Sequence, residues 1–257
     1  MGPTPEELHA LYCQALGRVA ALGPGGCVER IGPWLCIDAG LGVSKFNIAV
    51  VVDLVIRPRA ALREAMEWFA MRGINARLDL RGSVDGGVLA ASMVEGFTFW
   101  GREPSMVMHP LPPQTSRATG SIEVREARTP EDIALYCEVD REEYGDQQFQ
   151  AAMAERARQL PGVTLHLGLV DGRPVARSMS MTSGELVGVY NVYVAPSQRR
   201  RGFGGELTVA AIEAGRARGA TAACLESTEA GFSLYESLGF RRIDDYIIVG
   251  TEGPVSL

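Results

Sequence analysis

The apolar positions change period along the chain, and those changes mark its elements. Leu62, Ala65, Met66, Phe69 and Ala70 recur at the three- and four-residue spacing that lines one face of a helix, and Phe203, Leu207, Ala210, Ala211 and Ala214 repeat it. Gly73 and Gly219 follow these stretches as helix-ending glycines. Thr4-Pro5-Glu6-Glu7 and Thr129-Pro130-Glu131-Asp132 each offer a hydroxyl N-cap, a proline at the first helical position and acids in the first turn, so each opens a helix. In the second half, apolar runs of strand length predict strands at residues 122–127, 164–170, 175–182, 186–194, 222–226 and 242–249. Asp171-Gly172 carries the tight-hairpin signal between the second and third of these, which makes them antiparallel neighbours.

The pattern runs twice. Phe46-Asn47-Ile48 corresponds to Tyr190-Asn191-Val192, and Glu95-Gly96-Phe97 to Leu238-Gly239-Phe240, in the same order and at similar spacing. Between the halves, the proline-rich polar stretch from His109 to Gly120 offers little to bury and favours extended backbone. The reading is a first domain at 1–110, a linker at 111–120 and a second domain at 121–257, each an α+β unit with a mixed sheet.

Composition narrows the function classes. A chain of 257 residues has room for two domains, and 46% hydrophobic with 22% charged residues is the make-up of an ordinary soluble globular protein. A net charge of −6 argues against nucleic acid and anionic membranes as general partners. The five cysteines, Cys13, Cys27, Cys36, Cys137 and Cys224, form no C-x-x-C pair and have no histidine at zinc-ligand spacing, so reduced thiols and no metal are expected. Neither a secretory signal nor a run of about 20 apolar residues is present, and the expected location is cytoplasmic.

Chemistry concentrates in one stretch, Val189 to Leu207, which reads as strand, basic glycine-rich turn, then helix. Gly202, Gly204 and Gly205 allow close backbone approach, and first-turn N–H groups aim the positive end of the helix dipole at a ligand. Arg199, Arg200 and Arg201 add guanidinium groups suited to phosphate oxygens. The alternative is a solvated basic turn whose glycines merely start a helix. G-x-x-x-x-G-K-[ST] is absent, and Leu207 stands where a dinucleotide fingerprint needs its third glycine.

Arg199-Arg200-Arg201-Gly202-Phe203-Gly204, after the strand end Val192-Tyr193-Val194-Ala195-Pro196, resembles the R/Q-x-x-G-x-G/A signature of the GNAT superfamily of acyl-CoA N-acyltransferases. Leu225 to Phe240, ending Leu234-Tyr235-Glu236-Ser237-Leu238-Gly239-Phe240, resembles that family's fifth strand, fourth helix and closing L-Y-x-x-L-G-F. The resemblance implies a tandem GNAT fold, with a mixed, mostly antiparallel sheet flanked by helices in each half. The first copy is degenerate, since Ile56 to Leu62 lacks a glycine and Ser92 stands at the position of Tyr235.

The resemblance further implies an N-acetyltransferase that moves an acetyl group from acetyl-CoA to an amine of a small molecule or peptide by direct transfer. The alternative is a GNAT-fold protein that binds coenzyme as a sensor without turnover. Acetyl-CoA would lie along Val192, Tyr193 and Val194, with its pyrophosphate on the N–H groups from Arg200 to Gly205, and Ser227 and Thr228 beside it. Many members have Asn-x-x-Ala where this chain has Thr228 and Gly231, which weighs against a side-chain contact from Thr228. Tyr235 would protonate the leaving thiolate, and Glu185 is the nominal base, with Glu142 and Glu143 as further acids near the acceptor. The implied partners are acetyl-CoA and an amine acceptor, with a homodimer allowed. His9, His109 and His166 are assigned structural roles, and Trp34, Trp68 and Trp100 are assigned to packing in the first half.

Overall fold

A computed structural model describes residues 2–20, 25–40, 46–113, 122–139, 141 and 147–252. Its elements in chain order are α1 (Pro5–Ala15), β1 (Cys27–Ile31), β2 (Trp34–Asp38), β3 (Ile48–Val51), α2 (Pro58–Arg72), β4 (Arg77–Arg81), α3 (Gly86–Val94) and β5 (Thr98–Met108). There follow β6 (Glu123–Glu126), α4 (Pro130–Glu138), α5 (Gln147–Arg158), β7 (Val163–Val170), β8 (Arg173–Ser183), β9 (Leu186–Val194), α6 (Phe203–Arg216), β10 (Ala222–Glu226), α7 (Glu229–Leu238) and β11 (Arg241–Gly250). Contacts group the chain into two units. The first comprises Pro5–Ser105, Glu226–Ala230 and Arg242–Leu257, and the second Met1–Thr4, Met106–Leu225 and Gly231–Arg241.

In the first unit the strand order is β1-β2-β3-β4-β11-β5. The meander β1-β2-β3 is antiparallel, β3 and β4 are parallel across α2, and β11 runs antiparallel to β4 from Tyr246↔Arg81 to Gly250↔Arg77. The last strand therefore packs with the first unit, although the sequence reading draws the second domain as far as 257. Alternation along β11 gives the reason. Ile247 and Val249 join Trp34, Leu62, Trp68, Phe69, Leu78 and Leu80 on one face, while Tyr246 and Ile248 join Tyr12, Cys13 and Val50 on the other. Both faces of this strand are thus buried by residues of the first half.

Several polar groups in that core are matched. The Trp34 indole N–H donates to the Ala61 carbonyl at 2.8 Å, and that of Trp68 to Glu29 at 2.5 Å. The His9 Nε2 lies 2.7 Å from the Val51 carbonyl and must donate, so Nδ1 accepts the Tyr246 hydroxyl at 2.6 Å and the ring is neutral. Burial, ahead of the Arg81 charge, lowers the His9 pKa accordingly. Tyr12 donates to Asp79 at 2.6 Å, and Arg77 Nε meets the other oxygen of that carboxylate at 2.6 Å. Trp100 departs from the packing role expected of it, being 39% exposed.

The second unit has the order β10-β9-β8-β7-β6, antiparallel from β6 to β9 and parallel between β9 and β10 across α6. Asp171 and Gly172 both take positive φ, 50° and 74°, in the turn that joins β7 to β8, as the sequence signal required. Thr129 caps α4 with a full capping box, its hydroxyl accepting the Asp132 N–H at 3.1 Å while the Asp132 carboxylate accepts the Thr129 N–H. Helix α6 lies so close to β9 that a Cβ on Gly215 would stand 2.4 Å from Val187. His109 ends at a cis bond to Pro110, and His166, on β7, is buried with Nε2 3.1 Å from the Ser180 hydroxyl.

Burial holds the His166 pKa down to about 4. The unfolded chain takes up a proton near pH 6.5 that the native ring refuses until about 4, so this contribution to stability is lost as pH falls through that window. It amounts to about 3 kcal/mol at most. Urea unfolding at pH 7 and pH 4 should show the loss, and His166→Gln, which keeps a donor for Ser180, should show a smaller pH dependence than the parent.

Candidate functional site

Strand β9 is regular against β8 as far as Tyr190↔Met179, and pairing resumes at Tyr193↔Arg177. Two residues, Asn191 and Val192, thus oppose Ser178 alone, and Asn191 takes φ 52°, a left-handed conformation that asparagine tolerates better than most residues. On its other edge β9 pairs with β10 only over Leu186↔Ala222, Val187↔Ala223 and Gly188↔Cys224. Past Gly188 the two parallel strands part, and the bulge turns the remaining end of β9 away from the regular ladder. An opening between two strands leaves main-chain groups able to accept an extended ligand as a further strand.

The chain then passes through a 3₁₀ turn, Pro196–Gln198, anchored by the Ala195 N–H on the Val175 carbonyl at 2.9 Å. Arg200 (φ 65°) and Gly202 (φ 86°) both adopt left-handed backbone, and Gly202 is the N-cap of α6 without any side-chain cap. Gly202 gives its carbonyl to the N–H groups of Gly205 and Glu206, at 3.0 and 3.2 Å. The N–H groups from Arg200 to Gly204 have no acceptor among the described residues. This is an uncapped helix start wrapped by a turn, with partial positive charge and donors directed outward.

The arginines frame it. Arg199 Nε donates to the Val194 carbonyl at 3.1 Å and its guanidinium lies 5.7 Å from the Tyr193 ring. Arg201 bonds Gln198 and sits 4.8 Å over the Phe203 ring. Phe203, 1% exposed, pins the turn into the core beside Val175, Ala176 and Leu207, with Val192 and Val194 packed against them. Gly205 is buried in the first turn of the helix. A Cβ on Gly204 would stand 3.2 Å from Leu234, so α7 packs closely on that glycine.

Tyr235 lies on α7 in the cluster formed by Val187, Val189, Leu225 and Phe240, with Val192 and Leu234 partly buried against it. Its ring meets Phe240 edge-on at 6.0 Å, and burial pushes its hydroxyl pKa up to about 12. The hydroxyl makes no hydrogen bond to any described residue, so a buried ring carries a donor not committed to the fold.

Strand, turn, arginines and Tyr235 therefore come together within the second unit. Glu185 does not join them. It is exposed in the turn before β9, six residues short of Asn191, which is about 20 Å of extended strand. Ser227 and Thr228 group with the first unit, where the Ser227 N–H donates to the Pro104 carbonyl at 2.9 Å and its hydroxyl to the Thr228 carbonyl at 2.7 Å. Glu142 and Glu143 lie outside the described residues. Among the described residues no group of three or more metal-ligating side chains occurs.

One titrating residue was missed. Glu226 closes β10 in the first unit, and burial, then the Glu103 charge, raise its pKa to about 8. An acid directly after the apolar run Ala222-Ala223-Cys224-Leu225 was the signal for it.

Across residues 13–246 the chain matches the family described as "Probable histone acetyltransferase Rv0428c C-terminal". A GCN5-related N-acetyltransferase from Kribbella flavida shares the fold at 20% identity and TM-score 0.74, over 96% of this chain and 95% of that one. Another from Sphaerobacter thermophilus aligns at 17% identity and TM-score 0.65, over 90% of this chain and 77% of that one. A tandem GNAT protein from the clavulanic acid biosynthesis pathway aligns at 15% identity and TM-score 0.63, over 100% and 98%. No curated protein matches the sequence. Matched over nearly its whole length, the chain belongs to the Rv0428c C-terminal acetyltransferase family, and it shares its fold with solved GNAT proteins, a tandem one among them.

Proposed function

We propose that the chain is an N-acetyltransferase that carries an acetyl group from acetyl-CoA to an amine of a small molecule or peptide by direct attack on the thioester. The observation that carries this reading is the run of N–H groups from Arg200 to Gly204 without acceptors, at the end of a strand that has left its parallel neighbour. A diphosphate offers acceptor oxygens for such a run, and Arg199, Arg200 and Arg201 add charge beside it. The pantetheine arm of acetyl-CoA suits the opened edge of β9 at Val192, Tyr193 and Val194. An N–H of the bulge near Val192 then stabilises the oxyanion as the amine adds.

Expulsion of the thiolate is helped by a proton from Tyr235. A phenol held near 12 stays protonated at any assay pH up to about 10, so it serves as a donor and not as a base. Exposed Glu185 has no support as the base, and the amine reacts in its neutral form after losing a proton to water. Acetyl-CoA and the amine are the partners of this reading, with a homodimer compatible and the cytoplasm as the proposed compartment.

Two substitutions test it. Gly202→Val forces a β-branched side chain into φ 86° and closes the turn, so calorimetry should find acetyl-CoA affinity reduced by about tenfold or more. Tyr235→Phe keeps the buried ring and should lower kcat by about 100-fold in a free-thiol assay, with acetyl-CoA affinity changed less than about twofold. Acetyl-CoA binding without thiol release on a broad amine panel would replace the enzyme by a coenzyme sensor, and absence of binding would reject both.

A further inference from the structure

A cavity of about 600 Å³ opens in the first unit between the start of α2 and one face of α3, bordered by Arg57, Pro58, Arg59, Gly87, Ala91 and Val94. The acetyl-transfer reading makes no use of it. Its walls follow from the sequence. Small residues recur on α3 at Gly87, Ala90, Ala91 and Val94, the three- and four-residue spacing that lines one side of a helix. The two helices meet at Gly87, where a Cβ would stand 3.1 Å from the Pro58 ring. Side chains this small do not fill the space beside that contact, and its volume falls in the range of about 300–1,000 Å³ usual for small-molecule sites.

The charge on the cavity has one sign. Arg57 and Arg59 are exposed, and neither guanidinium has a hydrogen-bond or ion-pair partner among the described residues. Among the described residues no carboxylate borders the cavity. The acids nearest in the chain are turned to other groups. Asp53 pairs with Arg30, Asp85 accepts the Arg81 N–H at 2.8 Å and lies 3.6 Å from its guanidinium, and the Glu64 carboxylate lies against Gly32. Pro58, between the two arginines, has no N–H to offer, so the guanidinium groups on either side of it carry the positive charge to the cavity. A guanidinium fork matches the paired oxygens of a carboxylate or phosphate, and exclusion of water by an apolar body strengthens the contact. Apolar surface for such a body is at hand, since Ile56, next to Arg57, is 82% exposed and Val94 68%.

We propose that this cavity binds an organic anion, a carboxylate or phosphate group on an apolar body, with Pro58 and the small-residue face of α3 taking the body and Arg57 and Arg59 the charge. The site lies wholly within the first unit and takes no part in acetyl transfer, so its failure and that of the transferase reading are separable.

The purified full chain, without acetyl-CoA, is titrated by calorimetry with 4-phenylbutyrate, phenyl phosphate, 4-phenylbutan-1-ol and 4-phenylbutylamine. At least one anion should bind saturably, about tenfold or more tighter than the alcohol, with the amine weakest, and the tighter anion identifies the group that the arginines take. The double substitution Arg57→Gln and Arg59→Gln, at two exposed positions, should weaken that anion by about tenfold or more and leave the alcohol within about twofold. Acetyl-CoA affinity should not change in it. Ala90→Glu, which adds a carboxylate to the exposed face of α3, should weaken the anion by a similar factor and stands in if the double variant does not fold by circular dichroism. Absence of saturable anion binding, or an amine that binds as well as the anions, overturns the proposal by making the cavity inert or its charge irrelevant. An anion whose affinity survives these substitutions sits elsewhere on the chain and overturns it equally.

Discussion

The site of the second unit depends on one failure of pairing, the parting of β9 from β10 after Gly188↔Cys224. Parallel strands whose ladder stops short leave main-chain donors and acceptors that must be satisfied by something else. Here the bulge at Asn191 and Val192 exaggerates the separation, since a residue at φ 52° bends the strand away from its regular course. Phe203, buried beneath the turn, then fixes where α6 begins. The bulge, the turn and the helix start are consequences of one another, and each side chain of the site is positioned by a backbone feature.

The first copy shows what the same sequence order yields without those features. Helix α2 likewise connects the two strands of a parallel pair, but it begins at Pro58, which has no N–H, behind an N-cap Arg57 at φ −123°. Its strand β3 is four residues long and buried throughout. Asn47 is not the counterpart of Asn191 in conformation. It precedes the first paired residue of β3, is 1% exposed and donates to Asn75, whereas Asn191 lies five residues beyond the start of β9 in a bulge. The two Asn landmarks therefore mark different points of the repeat, although the helices and the parallel strands themselves repeat as expected.

Local chemistry was legible in the sequence, and non-local allegiance was not. Asp171-Gly172, the Thr129 cap, the glycine turn and the C-cap Gly73 at φ 65° each act within a few residues, so their side chains or lack of them decide the outcome. Which unit receives β11 depends on whether Tyr246 to Gly250 finds a buried edge, a property of β4 more than 160 residues away and invisible to periodicity. Trp100 reads as core by composition but is lifted out by its place over Gly250, and Glu226 owes its raised pKa to burial and then to Glu103 on a different strand. Glu185 adjoins the start of β9 in sequence, but a strand's length separates it from the bulge.

The glycines of the turn do not all bear equally on ligand binding. Gly204 has a packing reason of its own, because a Cβ there would stand 3.2 Å from Leu234 of α7, so its presence is weaker evidence for a ligand. Gly202 is different. Its φ of 86° lies in the left-handed region that favours glycine, and Arg200 at φ 65° lies there too. A non-glycine residue such as Arg200 adopts that conformation at a cost of about 1–2 kcal/mol. The fold has no need of that cost, since α2 begins from an unstrained Arg57. Strain present at one copy of a repeated element and absent from the other is in keeping with the anion-binding role proposed for this turn.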